Sequence, residues 1–261
     1  MIVDYHMHLR DADERVAHRA DAIEPFVETA AARGVDEIGF AEHVYYFRQT
    51  ASLWAQSEKA QACMHDLDVY VDAVGEAKRH GLPVKLGLEV DYVGDRQDEL
   101  AEALEPYPWD YLLGSVHWID GLAIDQAAGE GLWAELTVDE VWRRYFDALA
   151  ELASSGHVDV LAHPDLAKIF GERPANGFAY PQLNGVALEI STAGLHKPVG
   201  ELYPDRALLE ANGLPITLAS DAHVPQNVGR DFDRALELAR AAGYETVTVF
   251  EGREARQEPL G

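Results

Sequence analysis

The segment VKLGLEV, Val84–Val90, is almost wholly apolar, and it ends at Glu89 and Val90 with Asp91 directly behind. It lacks the alternation of a half-exposed strand. Such a run reads as a strand covered on both faces, as in a parallel sheet. Six more runs of the same kind are spaced along the chain: Ile2–His6, Glu37–Ala41, Tyr111–Val116, Asp159–Ala162, Val186–Ile190 and Ile216–Ala219. Thr246–Phe250 offers an eighth. Helical patterns fill the intervals. Asp21–Arg33 stops at Gly34, Glu201–Asn212 at Gly213 and Arg230–Ala242 at Gly243, each glycine suiting a helix C-cap. Ala60–His80 spaces Met64, Leu67, Val71, Val74 and Ala77 by three and four, and Thr137–Ser155 opens with a Thr137/Glu140 capping box. Val44–Ser57 and Asp120–Ala134 are less regular and read as loops over the ends of strands two and four. Seven or eight strand–helix units in 261 residues, with no linker or repeat, predict one domain over residues 1–261. Its expected architecture is an α/β, TIM-like barrel, with a doubly wound open sheet as the alternative.

The strand ends carry the chemistry. A single His-x-His pair such as His6-Met7-His8 proves little in a chain with eleven histidines. Its place at the end of strand one says more. Strand two ends in Glu42-His43, strand three in Glu89 with Asp91, strand four in His117, strand five in His163-Pro164-Asp165 and strand seven in Asp221-Ala222-His223. In a parallel barrel these ends share one face, where active sites form. Imidazoles and carboxylates suit Zn²⁺, Fe or Mn²⁺, and so many donors exceed the needs of one four-coordinate ion. The pattern therefore predicts a cluster of two or three divalent ions. His65 and His80 fall in helical stretches and read as solvated; His157, ahead of strand five, reads as structural.

Composition narrows the partners. Asp and Glu number 46 against 21 Lys and Arg, a formal charge of −25. So acidic a surface disfavours a nucleic-acid backbone or an anionic membrane. The lone Cys63 leaves no internal disulfide and no thiolate zinc site. MIVDYHMHLRDADER, Met1–Arg15, lacks the signal-peptide pattern, and no apolar run is long enough to span a bilayer. A cytoplasmic protein is expected. Nothing in the sequence signals an oligomeric state.

Seven strings, taken together and in order, resemble the PHP (polymerase and histidinol phosphatase) family in its stand-alone histidinol-phosphate phosphatase branch. They are DYHMH (Asp4–His8), AEH (Ala41–His43), GLEVDY (Gly87–Tyr92), GSVHWI (Gly114–Ile119), AHPDLAKIFG (Ala162–Gly171), STAGLHKPVGELYP (Ser191–Pro204) and SDAHVPQNVG (Ser220–Gly229). The resemblance implies a distorted (β/α)7 barrel with a trinuclear metal centre. His6, His8, Glu89 and Asp221 would hold one ion. Glu89 would bridge to a second, held by His117 and His163. His43 and His223 would hold the third with one residue from the loop after strand one. His18 is the expected residue, and Asp11, Asp13 and Glu14 are alternatives, because Arg10–Ala17 is longer than the family pattern.

The implied activity is metal-dependent hydrolysis of a small phosphomonoester, with L-histidinol phosphate the leading substrate and histidine biosynthesis the implied role. A hydroxide shared by two ions, bridged by Glu89, would attack phosphorus, with Asp221 or His223 passing a proton to the leaving oxygen. Lys168, His196, Lys197 and Arg48 are the candidate substrate contacts. His196 stands where the family commonly has Arg, whose bidentate fork a His does not reproduce. Tyr45, Tyr46, Phe47, Trp54 and Trp118 could line a leaving-group pocket. Two other activities compete. A phosphodiesterase or exonuclease fits the wider family, but the basic residues form no cluster for a nucleic acid. An amidohydrolase-type enzyme also opens on His-x-His, yet it usually bridges its ions through a lysine at the end of strand four, where this chain has His117.

Overall fold

The computed structural model describes residues 1–10, 15–54, 58–126 and 130–261. Seven parallel strands form one sheet in chain order: β1 (Val3–Met7), β2 (Glu37–His43), β3 (Val84–Asp91), β4 (Tyr111–Ser115), β5 (Val160–Leu161), β6 (Ala187–Ser191) and β7 (Ile216–Ala219). All eight residues of β3 are buried, as its unbroken apolar run requires of a strand covered on both faces. The sheet curls until its edges meet. Just beyond β7, Ala222 bridges Met7 of β1: His8 N–H donates to the Ala222 carbonyl at 2.8 Å, and Ala222 N–H to the His6 carbonyl at 3.2 Å. The result is the expected seven-stranded α/β barrel rather than an open doubly wound sheet.

Helices α1 (Glu24–Ala32), α2 (Ala51–Trp54), α3 (Leu67–Arg79), α4 (Gln97–Leu104), α5 (Leu132–Glu135), α6 (Val138–Ser154), α7 (Arg206–Asn212) and α8 (Phe232–Ala241) lie between and beyond the strands. The longest, α6, buries Val141, Trp142, Tyr145, Leu149 and Leu152 at helical spacing, and its capping box is formed. The eighth strand, Thr246–Glu251 (β8), stays outside the barrel. It pairs antiparallel with Glu254–Pro259 (β9), and Phe250 from this hairpin packs on the rings of Tyr5 and Tyr111.

The interior is filled in two levels. Below, Tyr5 and Tyr111 stack at 5.0 Å, and the Tyr111 hydroxyl donates to the Tyr5 carbonyl at 2.6 Å. Above, the polar strand ends converge. Side chains on a regular strand alternate, so Tyr5 and its neighbour His6 would face opposite ways. The β1–β2 register shifts between Asp4 and Met7, and that irregularity lets both side chains point inward.

Several local expectations need correction. The helix expected over Ala60–His80 begins only at Leu67, with Asp66 as its cap, and Met64 is exposed. Glu58–Gln61 is instead a single 3-10 turn, and His65 lies outside any helix, bridging Phe47. The Glu201–Asn212 pattern becomes helical only at Arg206, after the cis Tyr203–Pro204 bond. No helical pattern was expected over α4.

Candidate metal centre

The ends of β1, β2, β3 and β4 and the turns after β5 and β7 bring their donors together around Glu89. Four imidazoles surround this one buried carboxylate. His43 Nδ1 lies 2.6 Å and His6 Nε2 3.4 Å from Oε2; His163 Nε2 lies 3.2 Å and His117 Nε2 3.5 Å from Oε1. Asp221 Oδ1 lies 3.3 Å from His8 Nε2 and 3.9 Å from His6 Nε2. Four overlapping groups have donor spacing suited to one ion each: His6/His8/Asp221, His6/Glu89/His163, His43/Asp91/His117 and His8/His43/His223.

The donors fit metal ions better than they fit one another. His6 Nε2, both nitrogens of His8, His43 Nδ1 and Glu89 Oε2 are buried without a hydrogen-bond partner. The contact between His43 and Glu89 is short but misaligned. Buried polar atoms are rarely left so, and their convergence matches what a shared cation needs. Two of the rings are also backed. His6 Nδ1 meets Glu189 at 2.8 Å and His117 Nδ1 meets Asp91 at 2.6 Å, which turns the Nε2 atom of each ring toward Glu89.

Electrostatics follow from the packing. Burial opposes ionisation of Glu89, but His43, His6 and His117 outweigh it and hold the carboxyl well below its usual range. Burial likewise opposes the charge on His6; Glu189, Glu89 and Asp221 overcome it and raise its pKa well above the ordinary value. For His117 the same contest, settled by Glu89 and Asp91, lifts the pKa to about 9. His43 falls on the other side: burial lowers its pKa despite Glu89. The backbone is constrained here as well. His163 (φ 29°) and Asp221 (φ 52°) adopt left-handed conformations that cost a non-glycine residue of order 1 kcal/mol or more.

A cavity of about 160 Å³ opens onto these groups. His43, Glu89, His117, His163, Asp221 and His223 line its floor, with Tyr45, Trp118, Leu166, Ile169 and Tyr203 as walls, and Lys59, Asp125 and Lys197 supply further charges. Of the expected substrate contacts, only Lys197 reaches it. Lys168 is fully buried but turns away, held by Asp205 at 2.6 Å and Asp165 at 2.8 Å. The His196 side chain is 43% exposed and bonds Asp231 at 2.7 Å; Arg48, 60% exposed, pairs with Asp66 at 2.9 Å. His18 joins none of the four donor groups. Its Nε2 faces Glu42 Oε1 at 3.4 Å, which Arg10 also holds at 2.7 Å. Asp11, Asp13 and Glu14, the alternatives to His18, lie outside the described residues. Of the expected aromatics, Tyr45 and Trp118 line the cavity; Trp54 packs behind them, Tyr46 packs on His43, and Phe47 is wholly buried against His18. Sequence reasoning missed Glu189, Lys59, Asp125 and Tyr203. Glu189 had a signal, a lone acid near the end of an apolar strand; the other three had none.

A closed β/α barrel whose strand ends gather overlapping metal-ion donor groups defines a metallohydrolase-like class of protein. Within that class the chain belongs to the PHP domain family, whose pattern its residues 4–194 match. It is 30% identical to a probable histidinol-phosphatase of Deinococcus radiodurans, over 99% of each chain. It is 24% identical to the histidinol-phosphatase of Lactococcus lactis, over 96% of this chain and 94% of that one. Among solved structures it resembles the histidinol phosphate phosphatase of Lactococcus lactis, in complex with zinc, L-histidinol and phosphate. That likeness has a TM-score of 0.73 and 22% identity, over 98% of both chains, and it supports the fold.

Proposed function

We propose that this chain is a metal-dependent phosphomonoester hydrolase acting on L-histidinol phosphate in the cytoplasm. The observation that carries the reading is Glu89, one buried carboxylate shared by four imidazoles at the floor of a small cavity. The naming of its relatives as histidinol-phosphatases supports the substrate.

His6, His8, Glu89 and Asp221 would hold one ion, His117 and His163 a second with Glu89, and His43 and His223 a third. Zinc, iron or manganese suits these donors. Divalent ions bound there lower the pKa of water to about 7 and neutralise charge on the phosphoryl oxygens. The chain's own residues do the rest. Glu189 fixes the His6 ring and Asp91 the His117 ring before substrate arrives, which lowers the reorganisation needed during reaction. Tyr45, Trp118 and Tyr203 narrow the cavity and exclude bulk water. With only two ions bound, His223 would not be a ligand, and its side chain, 47% exposed on the cavity floor, would be placed to give the leaving oxygen a proton. A polynucleotide fits poorly with so small a cavity and a charge of −25.

The test is phosphate release from a panel of monoesters including L-histidinol phosphate, beside the diester bis(p-nitrophenyl) phosphate. Monoester hydrolysis is expected, lost on chelation and restored by Zn²⁺ or Mn²⁺. Diester hydrolysis with no monoester hydrolysis would overturn the reading.

A further inference from the structure

We propose that the Tyr203 hydroxyl is a phosphate-binding group, donating a hydrogen bond to a phosphoryl oxygen held in the cavity. The inference rests on the phosphomonoesterase reading and adds to it a substrate contact made by the chain itself. Tyr203 is 1% exposed and lines the cavity beside His163, its ring centre 6.2 Å from that of the imidazole. Its hydroxyl oxygen is buried and has no hydrogen-bond partner in the protein. Equally buried tyrosines are satisfied: Tyr70 donates to the Gly87 carbonyl at 2.8 Å, Tyr111 to the Tyr5 carbonyl at 2.6 Å and Tyr145 to the His163 carbonyl at 3.3 Å. A buried phenol normally finds such a partner. Among the described residues, the buried phenol oxygens without one belong to Tyr203 and Tyr244. Tyr244 is only half-buried and lies away from the cavity; Tyr203 faces it.

The ring is held so firmly that the hydroxyl cannot swing away to another acceptor. Tyr203 and Ser191, the last residue of β6, exchange two backbone hydrogen bonds: Ser191 N–H donates to the Tyr203 carbonyl at 2.7 Å and Tyr203 N–H to the Ser191 carbonyl at 3.0 Å. Gly194 leaves room for the ring, and a Cβ there would overlap its Cδ2–Cε2 edge. The Lys168 ammonium lies 5.5 Å from the ring centre and is itself pinned by Asp165 and Asp205. Asp205 N–H donates to the Asp165 carboxylate at 2.7 Å, which ties the chain just past Tyr203 to the turn that carries His163. The phenol and the metal-donor imidazole thus share one frame, and the buried Lys168, which does not reach the cavity, supports a ring that does. The chemistry of the floor explains the need for a donor. Its carboxylates accept hydrogen bonds only, and its imidazoles are committed to ions when these are bound. A phosphoryl oxygen not covered by an ion needs an N–H or O–H from the wall. A phenol keeps its proton at neutral pH, and its O–H···O⁻ bond to a phosphoryl oxygen is of the strong, charge-assisted kind.

The experiment compares the metal-loaded parent protein with Tyr203→Phe, which removes the hydroxyl and keeps the ring. Each is titrated with inorganic phosphate by calorimetry, its metal content is measured, and its melting temperature is recorded with and without phosphate. Tyr203→Phe is expected to weaken phosphate binding about tenfold or more and to shrink the rise in melting temperature that phosphate produces. Metal content should stay the same. The phosphate-free melting temperature should hold or rise, because the hydroxyl has no partner to lose. Unchanged phosphate affinity overturns the inference. So does a loss of metal or a lower phosphate-free melting temperature, either of which would give the hydroxyl a role in the floor or the fold instead. A parent protein that binds no phosphate overturns it too. Binding is read without turnover, so a parent that binds phosphate and hydrolyses no monoester would sink the proposed function and still leave the role of Tyr203 decided.

Discussion

Glu89 is where removing one charge does most damage. It sits fully buried among His6, His43, His117 and His163, so its carboxylate both collects the ions and balances the imidazoles. Glu89→Gln keeps the volume but leaves a neutral amide there. We expect it to lose at least one ion per chain by elemental analysis and to cut kcat by about 100-fold or more; retention of both would refute the bridging role. Proton traffic gives a second reading of the same residues. In the metal-free chain His6 is held well above its ordinary pKa and His117 near 9, so both carry a proton at pH 7. A ligating imidazole must be neutral. Metal uptake at pH 7 should therefore release protons, and affinity should fall as pH falls. Calorimetry in two buffers of different ionisation enthalpy checks this, and a buffer-independent heat would refute it. These donors were legible in the sequence because each closes an apolar run. The fates of Lys168 and His196 were not, because Asp205 and Asp231, which claim them, lie 37 and 35 residues away.

Strand β3 couples the packing to the site. Gly39 and Gly87 lie against the Tyr111 ring, and a Cβ added at Gly87 would overlap that ring. Two residues further along the same face stands Glu89. Gly87→Ala should therefore cost about 1–3 kcal/mol of stability through overpacking and should also lower metal content, since Glu89 moves with its strand. Thermal unfolding with elemental analysis tests both; a variant as stable as the parent would mean that the Tyr111 ring has room to yield. The strands were legible at this scale because burial on both faces leaves a simple apolar signature. Element edges were harder to read. The spacing of Met64 mimics a core position, but the residue is exposed, and Asp66 starts the helix later. Thr246–Phe250 has the composition of a barrel strand, yet Gly252 with Arg253 turns the chain into a hairpin, with both residues at positive φ. The shift in β1 that brings His6 inward beside Tyr5 leaves no mark in composition at all.

The whole molecule carries −25 while its active site is proposed to bind an anion. Two length scales separate these effects. The surface charge acts on a phosphate ester during its approach, over distances that salt screens with a Debye length of about 10 Å at 0.1 M. Bound ions, with Lys197 on the cavity lining, would act only within the cavity, at contact distance, where screening is weak. Three divalent ions would still leave the molecule strongly negative. Raising ionic strength from about 10 to 150 mM with a non-coordinating salt should therefore increase kcat/KM for a phosphomonoester, because it removes repulsion during encounter and leaves attraction in the cavity nearly intact. The gain should appear in KM rather than kcat, and it should vanish for an uncharged ligand of the same cavity. The opposite trend, kcat/KM falling with salt, would show that the local positive field reaches beyond the cavity mouth and dominates the approach. A basic enzyme with the same floor would show that falling trend. The sign of the salt effect thus separates what the surface contributes from what the site contributes.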